Sequence, residues 1–205
     1  REEIPIELLA AGAYQLGGFP AMATALLEQV KTENDGVRLY AAFLQANFDT
    51  VVRRAARFWR TNEELTGADA EAAILAALRG EAEGPGVKWA VTVELVRCLG
   101  LIADSLRRGA NDRLGMAMSK LHALDELANR MFSLDASLVI GVMRQVADRY
   151  SAATIYKPMN RLAELRPARA NRLQRYARDQ FSRGRGILWT SQLHGVERLL
   201  RESSF

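Results

Sequence analysis

The single cysteine, Cys98, excludes an internal disulfide and any thiolate-rich metal cluster. The two histidines, His122 and His194, lie far apart in the chain. Local sequence therefore builds neither a zinc-type ligand set nor an imidazole beside a nucleophile. Prolines number only five among 205 residues, which leaves long stretches open to helix. No uncharged apolar run reaches the roughly 18 residues of a membrane span. The nearest candidate, "VKWAVTVELVRCLGLIA", is interrupted by Lys88, Glu94 and Arg97, and the first residues do not read as a secretory leader. No G-x-x-x-x-G-K-[ST] loop occurs, so these residues carry no phosphate cradle of that kind. Together these absences point to a reducing, cytoplasmic setting without a membrane partner, and away from a complete small enzyme. No catalytic residue and no metal ligand is assigned.

What is present is helical patterning. Apolar residues make up 49% and charged residues 25%, an ordinary balance for a globular chain that can bury a core. In "IELLAAGAYQL" the residues Ile6, Leu9, Ala13 and Leu16 form one stripe, stopped by Gly17-Gly18, and Pro20 opens the next helix. Asp35-Gly36 reads as a turn before "VRLYAAFLQANFDTVVRRAARFW", expected as two helices broken near Asn47 and Asp49. Thr66-Gly67-Ala68-Asp69 caps "AEAAILAALRG", and Glu83-Gly84-Pro85-Gly86 is a loop before a long helix to about Arg108. Asn111 or Asp112 caps the next helix, and Ser133 or Asp135 the one that runs to about Tyr150. Nothing alternates as a strand would. The fold class is all-α: an irregular multi-helix bundle, or a short tetratricopeptide-like array of helical hairpins. The array reading rests on a faint repeat at an offset of 29, which pairs Ala13 with Ala42, Tyr14 with Phe43 and Phe19 with Phe48.

The net charge of +4 is unevenly distributed. From Tyr156 to Gly186, Lys157, Arg161, Arg166, Arg169, Arg172, Arg175, Arg178, Arg183 and Arg185 face only Glu164 and Asp179. Arg166 to Arg178 recur at every third residue, which on a helix gives a slowly drifting stripe. Leu162, Leu165, Leu173, Tyr176 and Phe181 supply the apolar side. Pro158 and Pro167 divide the run into helices of about Met159–Leu165 and Ala168–Phe181. Guanidinium forks match phosphate oxygens, so Arg166, Arg169, Arg172, Arg175, Arg178, Arg183 and Arg185 are candidates for contact with a DNA or RNA backbone. With no aromatic interleaving recognised, selectivity for base sequence should be weak. The alternative is a solvated face, or pairing with acids such as Glu63, Glu64, Glu81 and Glu83. A second patch, Arg53, Arg54, Arg57 and Arg60, would extend the surface if its helix lay alongside.

Elsewhere His122 stands one turn before Asp125 and Glu126, a surface or half-buried structural histidine. Cys98, Met116, Met118, Met131 and Met143 read as core, and Trp59 and Trp89 as packing anchors.

The C-terminal "LWTSQLHGVERLL" resembles the nucleotide-recognising Q motif of superfamily 2 DEAD/DEAH-box helicases, in which a Leu-aromatic-Pro-x-Gln step opens a helix before the first motor strand. Leu188 and Trp189 fill the first pair, Gln192 falls on the glutamine, Thr190 replaces the usual proline, and "SSF" falls at the start of the strand. The resemblance implies that Gln192 reads adenine and that Trp189 stacks on the base or braces the glutamine. It also implies ATP and Mg²⁺ in the parent chain, with no cofactor for this segment alone. On this reading residue 1, an Arg, marks a piece of a longer polypeptide. Residues 1–150 form a helical accessory domain, 151–186 a basic helical linker, and 187–205 the start of the first motor domain, ending before the phosphate-binding loop. The N-terminal "AAGAYQLGGFPAMATALL" is similar to leader regions of bacterial helicases of this class, including those of antiphage defence systems such as Hachiman. The implied role is a non-catalytic N-terminal accessory domain of an ATP-dependent helicase. Its implied partners are the rest of the helicase chain, DNA or RNA, and a protein such as a defence-system nuclease. The plain alternative for Trp189 and Gln192 is a helix start, with Trp189 as a packing anchor and Thr190 or Ser191 as cap. The alternative function is a stand-alone helical protein-interaction module.

Overall fold

The computed structural model describes residues 5–61, 79, 85–131 and 134–202. Outside them lie Glu63, Glu64, Glu81 and Glu83, the Thr66–Asp69 cap, "AEAAILAALRG" apart from Arg79, and the terminal "SSF". Among the described residues the chain is all-α, a multi-helix bundle. Its helices are α1 (Ile6–Gly17), α2 (Pro20–Leu27), α3 (Asp35–Leu44), α4 (Phe48–Thr61), α5 (Pro85–Arg108), α6 (Asn111–Met131), α7 (Leu134–Ala153), α8 (Tyr156–Leu165), α9 (Ala170–Ser182) and α10 (Thr190–Glu202). A 3₁₀ turn at Pro167–Arg169 precedes α9.

Local chemistry sets most of the boundaries. Pro20 and Pro85 occupy first helical positions, where a missing N–H costs nothing. Asp35-Gly36, expected as a turn, instead opens α3, and Asn34 caps it: its Oδ1 accepts from the N–H groups of Gly36 (2.8 Å) and Val37 (3.1 Å). The α1–α2 and α3–α4 turns share one bonding scheme. Gly18 N–H donates to Gln15 C=O and Phe19 N–H to Tyr14 C=O, as Ala46 and Asn47 N–H donate to Phe43 and Ala42 C=O. Gly18 (φ 87°) and Ala46 (φ 54°) both take the left-handed conformation, which favours glycine and which Ala46 adopts with its Cβ. The structural correspondence thus pairs Gly18 with Ala46 and Phe19 with Asn47, one residue short of the 29-residue offset read from the sequence.

The face of α1 that turns inward differs from the expected one. Leu8, Ala11, Gly12 and Gln15 are buried, whereas Ile6 is 74% exposed and Ala13 is exposed. Close approach explains the choice, because a Cβ at Gly12 would run into Val142 of α7. The small residues face the neighbouring helix, and Leu9 and Leu16 pack at the flanks.

Helices α5, α6 and α7 pack as consecutive neighbours, α4 lies on α5, and α7 rests against α1, α3 and α5. The Tyr150 hydroxyl of α7 donates to Leu44 C=O (2.8 Å), and Arg149 Nη1 donates to Leu16 C=O. Helix α7 thus bonds back to the C-terminal ends of both α1 and α3.

One hydrophobic core runs from Leu8 to Ile187. Residues 151–186 contribute Ile155, Tyr156, Met159, Ala177 and Phe181 to it, so the basic segment is packed into the bundle. A chain of aromatic contacts makes the connection: Phe43–Tyr150 (5.6 Å between centroids), Tyr150–Phe48 (5.5 Å), Phe48–Phe181 (6.1 Å) and Phe181–Tyr156 (5.3 Å). After α9, Ile155 N–H donates to Gly186 C=O (2.9 Å) and Leu188 N–H to Ala153 C=O (2.8 Å), which ties the approach to α10 onto the end of α7. Cys98 and Met143 are core residues and Met118 is half-buried, but Met116 is 65% exposed. Burial pushes the Cys98 thiol up to about 12, with Glu94 adding to the effect.

Candidate nucleic-acid interface

Helix α9 is held from one side. Ala177 and Phe181 are buried, with Leu173 half-buried one turn earlier, a spacing that puts all three on one face. Arg172, Arg175 and Arg178 occupy the remaining surface and are exposed. Three residues on a 3.6-residue helix fall about 60° short of a full turn. The row therefore winds across the outer face instead of running along it, and Arg178 turns towards the end of α5. The five-arginine row expected on one helix is divided. Arg166 is the C-cap of α8, with φ −138°, and Arg169 lies in the 3₁₀ turn. Pro167 is the cause, since it disfavours helical backbone at the residue before it. Arg183, the C-cap of α9, pairs with Asp179 (2.9 Å), and Arg185 is exposed beyond Gly184. Among the described residues, Arg166, Arg169, Arg172, Arg175, Arg178 and Arg185 make no salt bridge.

Two residues assigned to the apolar side lie outside instead. Leu165 is 63% exposed and Tyr176 is 51% exposed. Tyr176 follows Arg172 by one helical turn, so an aromatic ring does share the arginine face. The period could have shown this, because Leu173, Ala177 and Phe181 already fill the inward positions.

A second group of arginines sits nearby. Arg107 and Arg108 end α5, where cations oppose the helix dipole favourably. One oxygen of Asp104 accepts from both, at 3.1 Å from Arg107 Nη2 and 2.8 Å from Arg108 Nε, and Asp49 accepts from Arg107 Nη1 at 2.7 Å. Bonding to Asp49, and then to Asp104, raises Arg107 further above its ordinary value against the opposing effect of burial. The Tyr156 hydroxyl donates to Arg107 C=O (3.0 Å) and so fixes this helix end against α8. Burial pushes that hydroxyl up, against the pull of the nearby Arg178 charge. Arg107, Arg108 and Arg178 line one cleft of about 550 Å³ with Asp49, Gln174 and Ser182. On α4, Arg53, Arg57 and Arg60 are exposed, and Arg54 pairs with Asp35 (3.2 Å).

Trp189 and Gln192 lie at the start of α10. Trp189 is half-buried and Gln192 exposed, so neither is sealed inside the bundle. Gln192 Oε1 accepts from Trp189 N–H (3.0 Å) and Leu193 N–H donates to Trp189 C=O (2.8 Å). A glutamine at the third helical position that reaches back to the N-cap amide is one half of a capping box. The Gln192 amide therefore has a local structural task of its own.

Another groove, of about 710 Å³, lies where α6 faces α7 and α8. His122 does not meet Asp125 or Glu126. It contacts Asp148 of α7 (3.0 Å), while Arg144 donates to Asp148 (3.0 Å) and to Asp125 (2.6 Å). Trp59 is half-buried with the Arg97 guanidinium 5.6 Å from its ring centroid. The described residues contain no group of three or more His, Cys, Asp or Glu side chains placed to hold a metal ion, and no helix long and apolar enough to cross a membrane. No family model, curated protein or solved structure matches the chain.

Proposed function

We propose that this chain is a non-catalytic helical module that binds the phosphate backbone of DNA or RNA. The observation that carries the reading is the exposed set Arg166, Arg169, Arg172, Arg175, Arg178 and Arg185, without acidic partners among the described residues, on a hairpin fixed to the core by Tyr156, Ala177 and Phe181. A rigid support lets the guanidinium groups meet phosphates without first ordering the backbone. Tyr176 adds one ring for a base to stack on, which favours unpaired strands.

Fluorescence anisotropy with labelled single- and double-stranded oligonucleotides tests this. The affinity should fall steeply with salt, with a log–log slope of about −3 to −5 if four or five phosphates are neutralised. Arg172→Glu/Arg175→Glu/Arg178→Glu should abolish binding while the helical circular-dichroism signal stays intact. Unchanged affinity in that variant would refute the assignment.

The setting we propose is an accessory domain of an ATP-dependent helicase, with α10 leading into the motor. Support comes from the Leu188-Trp189-x-x-Gln192 step at the start of a helix and from the exposure of Gln192. Capping uses one lone pair of Gln192 Oε1, which leaves its second for an adenine amino group. The codons that follow Phe205 decide the matter. A G-x-x-x-x-G-K-[ST] loop within the next few dozen supports a motor, and its absence there ends this setting without touching the backbone-binding claim.

A further inference from the structure

We propose that the cleft between the end of α5 and α9 is a phosphate notch, in which Arg107, Arg108 and Arg178 hold one backbone phosphate where the strand crosses from α9 to α4. This rests on the nucleic-acid reading above and adds a site and a path to it.

The cleft has the features of a built anion site. Asp104 aims two guanidinium groups by accepting from both with the same oxygen. That arrangement engages Arg108 through Nε, so its terminal nitrogens are not the ones bound to Asp104. Arg178 enters from α9 and makes no salt bridge among the described residues. Gln174 and Ser182 complete the wall, with the Gln174 amide donating to Asn160 Oδ1 and the Ser182 hydroxyl to Asp179 C=O (2.7 Å), so the arginines are the donors left for an anion. Three guanidinium groups against two carboxylates leave a net positive charge, and the Arg fork suits a phosphate better than a point charge would. Asp49 occupies the place an incoming anion would take, bonded to Arg107 with more than half of its side chain exposed. A phosphate would displace this carboxylate and recruit Arg107 as the third ligand.

The notch also explains how two basic patches become one surface. Arg53 and Arg57 follow Asp49 by one and two helical turns, and Arg60 lies beside them on the exposed side of α4. A strand bound to Arg172 and Arg175 reaches the notch through Arg178 and leaves it along Arg53 and Arg57. Continuity with exposed arginines on both sides marks a polymer backbone as the ligand rather than an isolated anion.

The test uses the same oligonucleotides with Asp49→Asn and Arg108→Ala, and follows the arginine Nε–H resonances during titration with inorganic phosphate. Asp49→Asn removes a competitor for Arg107 and should tighten oligonucleotide binding several-fold. Arg108→Ala should weaken it several-fold and reduce the magnitude of the salt slope by up to about one. If the parent protein binds oligonucleotide and both variants match it in affinity and slope, the notch is overturned while the α9 surface stands. If inorganic phosphate shifts the Arg108 and Arg178 resonances but no oligonucleotide binds, the backbone assignment of the notch is overturned in favour of a free anion. An Arg172→Glu/Arg175→Glu variant, which spares the notch residue Arg178, separates the two claims: unchanged affinity in it, with both notch variants behaving as expected, would count against the α9 reading alone.

Discussion

Two parts of this molecule are rich in charge and use it in opposite ways. Between α6 and α7, Arg144 divides its donors between Asp125 and Asp148, and His122 shares Asp148, so the one guanidinium there is met by two carboxylates of the bundle itself. On α8 and α9 the arginines outnumber the acids, and among the described residues only Arg183 finds one. The first arrangement is what a helix interface needs, because a half-buried guanidinium is costly unless its charge is met. The second leaves cationic groups facing outward. The larger groove is therefore the weaker candidate for an anion, and the smaller cleft beside α9 the stronger.

Experiments can break that contrast or sharpen it. The largest effect expected is on binding. Reversing Arg172, Arg175 and Arg178 should cost at least a hundred-fold in oligonucleotide affinity, equivalent to about 2.7 kcal/mol or more at about 1.4 kcal/mol per decade, with the urea midpoint of unfolding nearly unchanged. The paired region should respond the other way. Arg144→Met strands Asp125, whose side chain is 13% exposed, and should lower stability by about 2–3 kcal/mol in urea unfolding, with no change in oligonucleotide affinity. Adding Asp125→Asn should recover part of that loss, since removing both charges leaves neither unmet. Were Arg144→Met neutral, the idea that Arg144 is held by its two carboxylates for the sake of the helix interface would fail.

Smaller effects refine the picture of the basic hairpin. Tyr176→Ala should weaken single-stranded binding by about 1 kcal/mol or more and leave double-stranded binding unaltered, because only an unpaired base offers its face to the ring. Equal losses on both substrates would remove the stacking role. Tyr156→Phe deletes the bond to Arg107 C=O and should cost about 1 kcal/mol of stability. Smallest of all, Gln192→Ala should cost about 0.5–1 kcal/mol through the lost cap bond, read as earlier fraying of α10 in amide exchange.

Much of the fold was legible in the sequence. Pro20, the break near Asn47, the end near Arg108 and the division at Pro167 all mark true boundaries, because each acts through local backbone chemistry, whereas Asp49 falls inside α4. What went astray was which face turned inward. On α1 two stripes satisfy the helical period, and the sequence favoured Ile6 and Leu9 for their hydrophobicity. The bundle chose Ala11 and Gly12 because α7 comes close there, which is a property of the neighbour. Tyr176 and Leu165 were misplaced for the same reason. His122 is a surface histidine, as its pattern implies, but its partner Asp148 lies on another helix and local spacing could not name it.

The sequence by itself determined that the chain is helical, where most helices begin and end, and that positive charge gathers after Tyr156. These are consequences of period, capping and composition, which act over a few residues. Only the tertiary structure decided that α7 would pack against α1, α3 and α5, that Phe48, Tyr150, Phe181 and Tyr156 would tie the basic hairpin into the core, and that Arg107 and Arg108 would meet Arg178 across one cleft. Those outcomes depend on residues distant in the chain, and on helices that bury their faces only when all of them pack together.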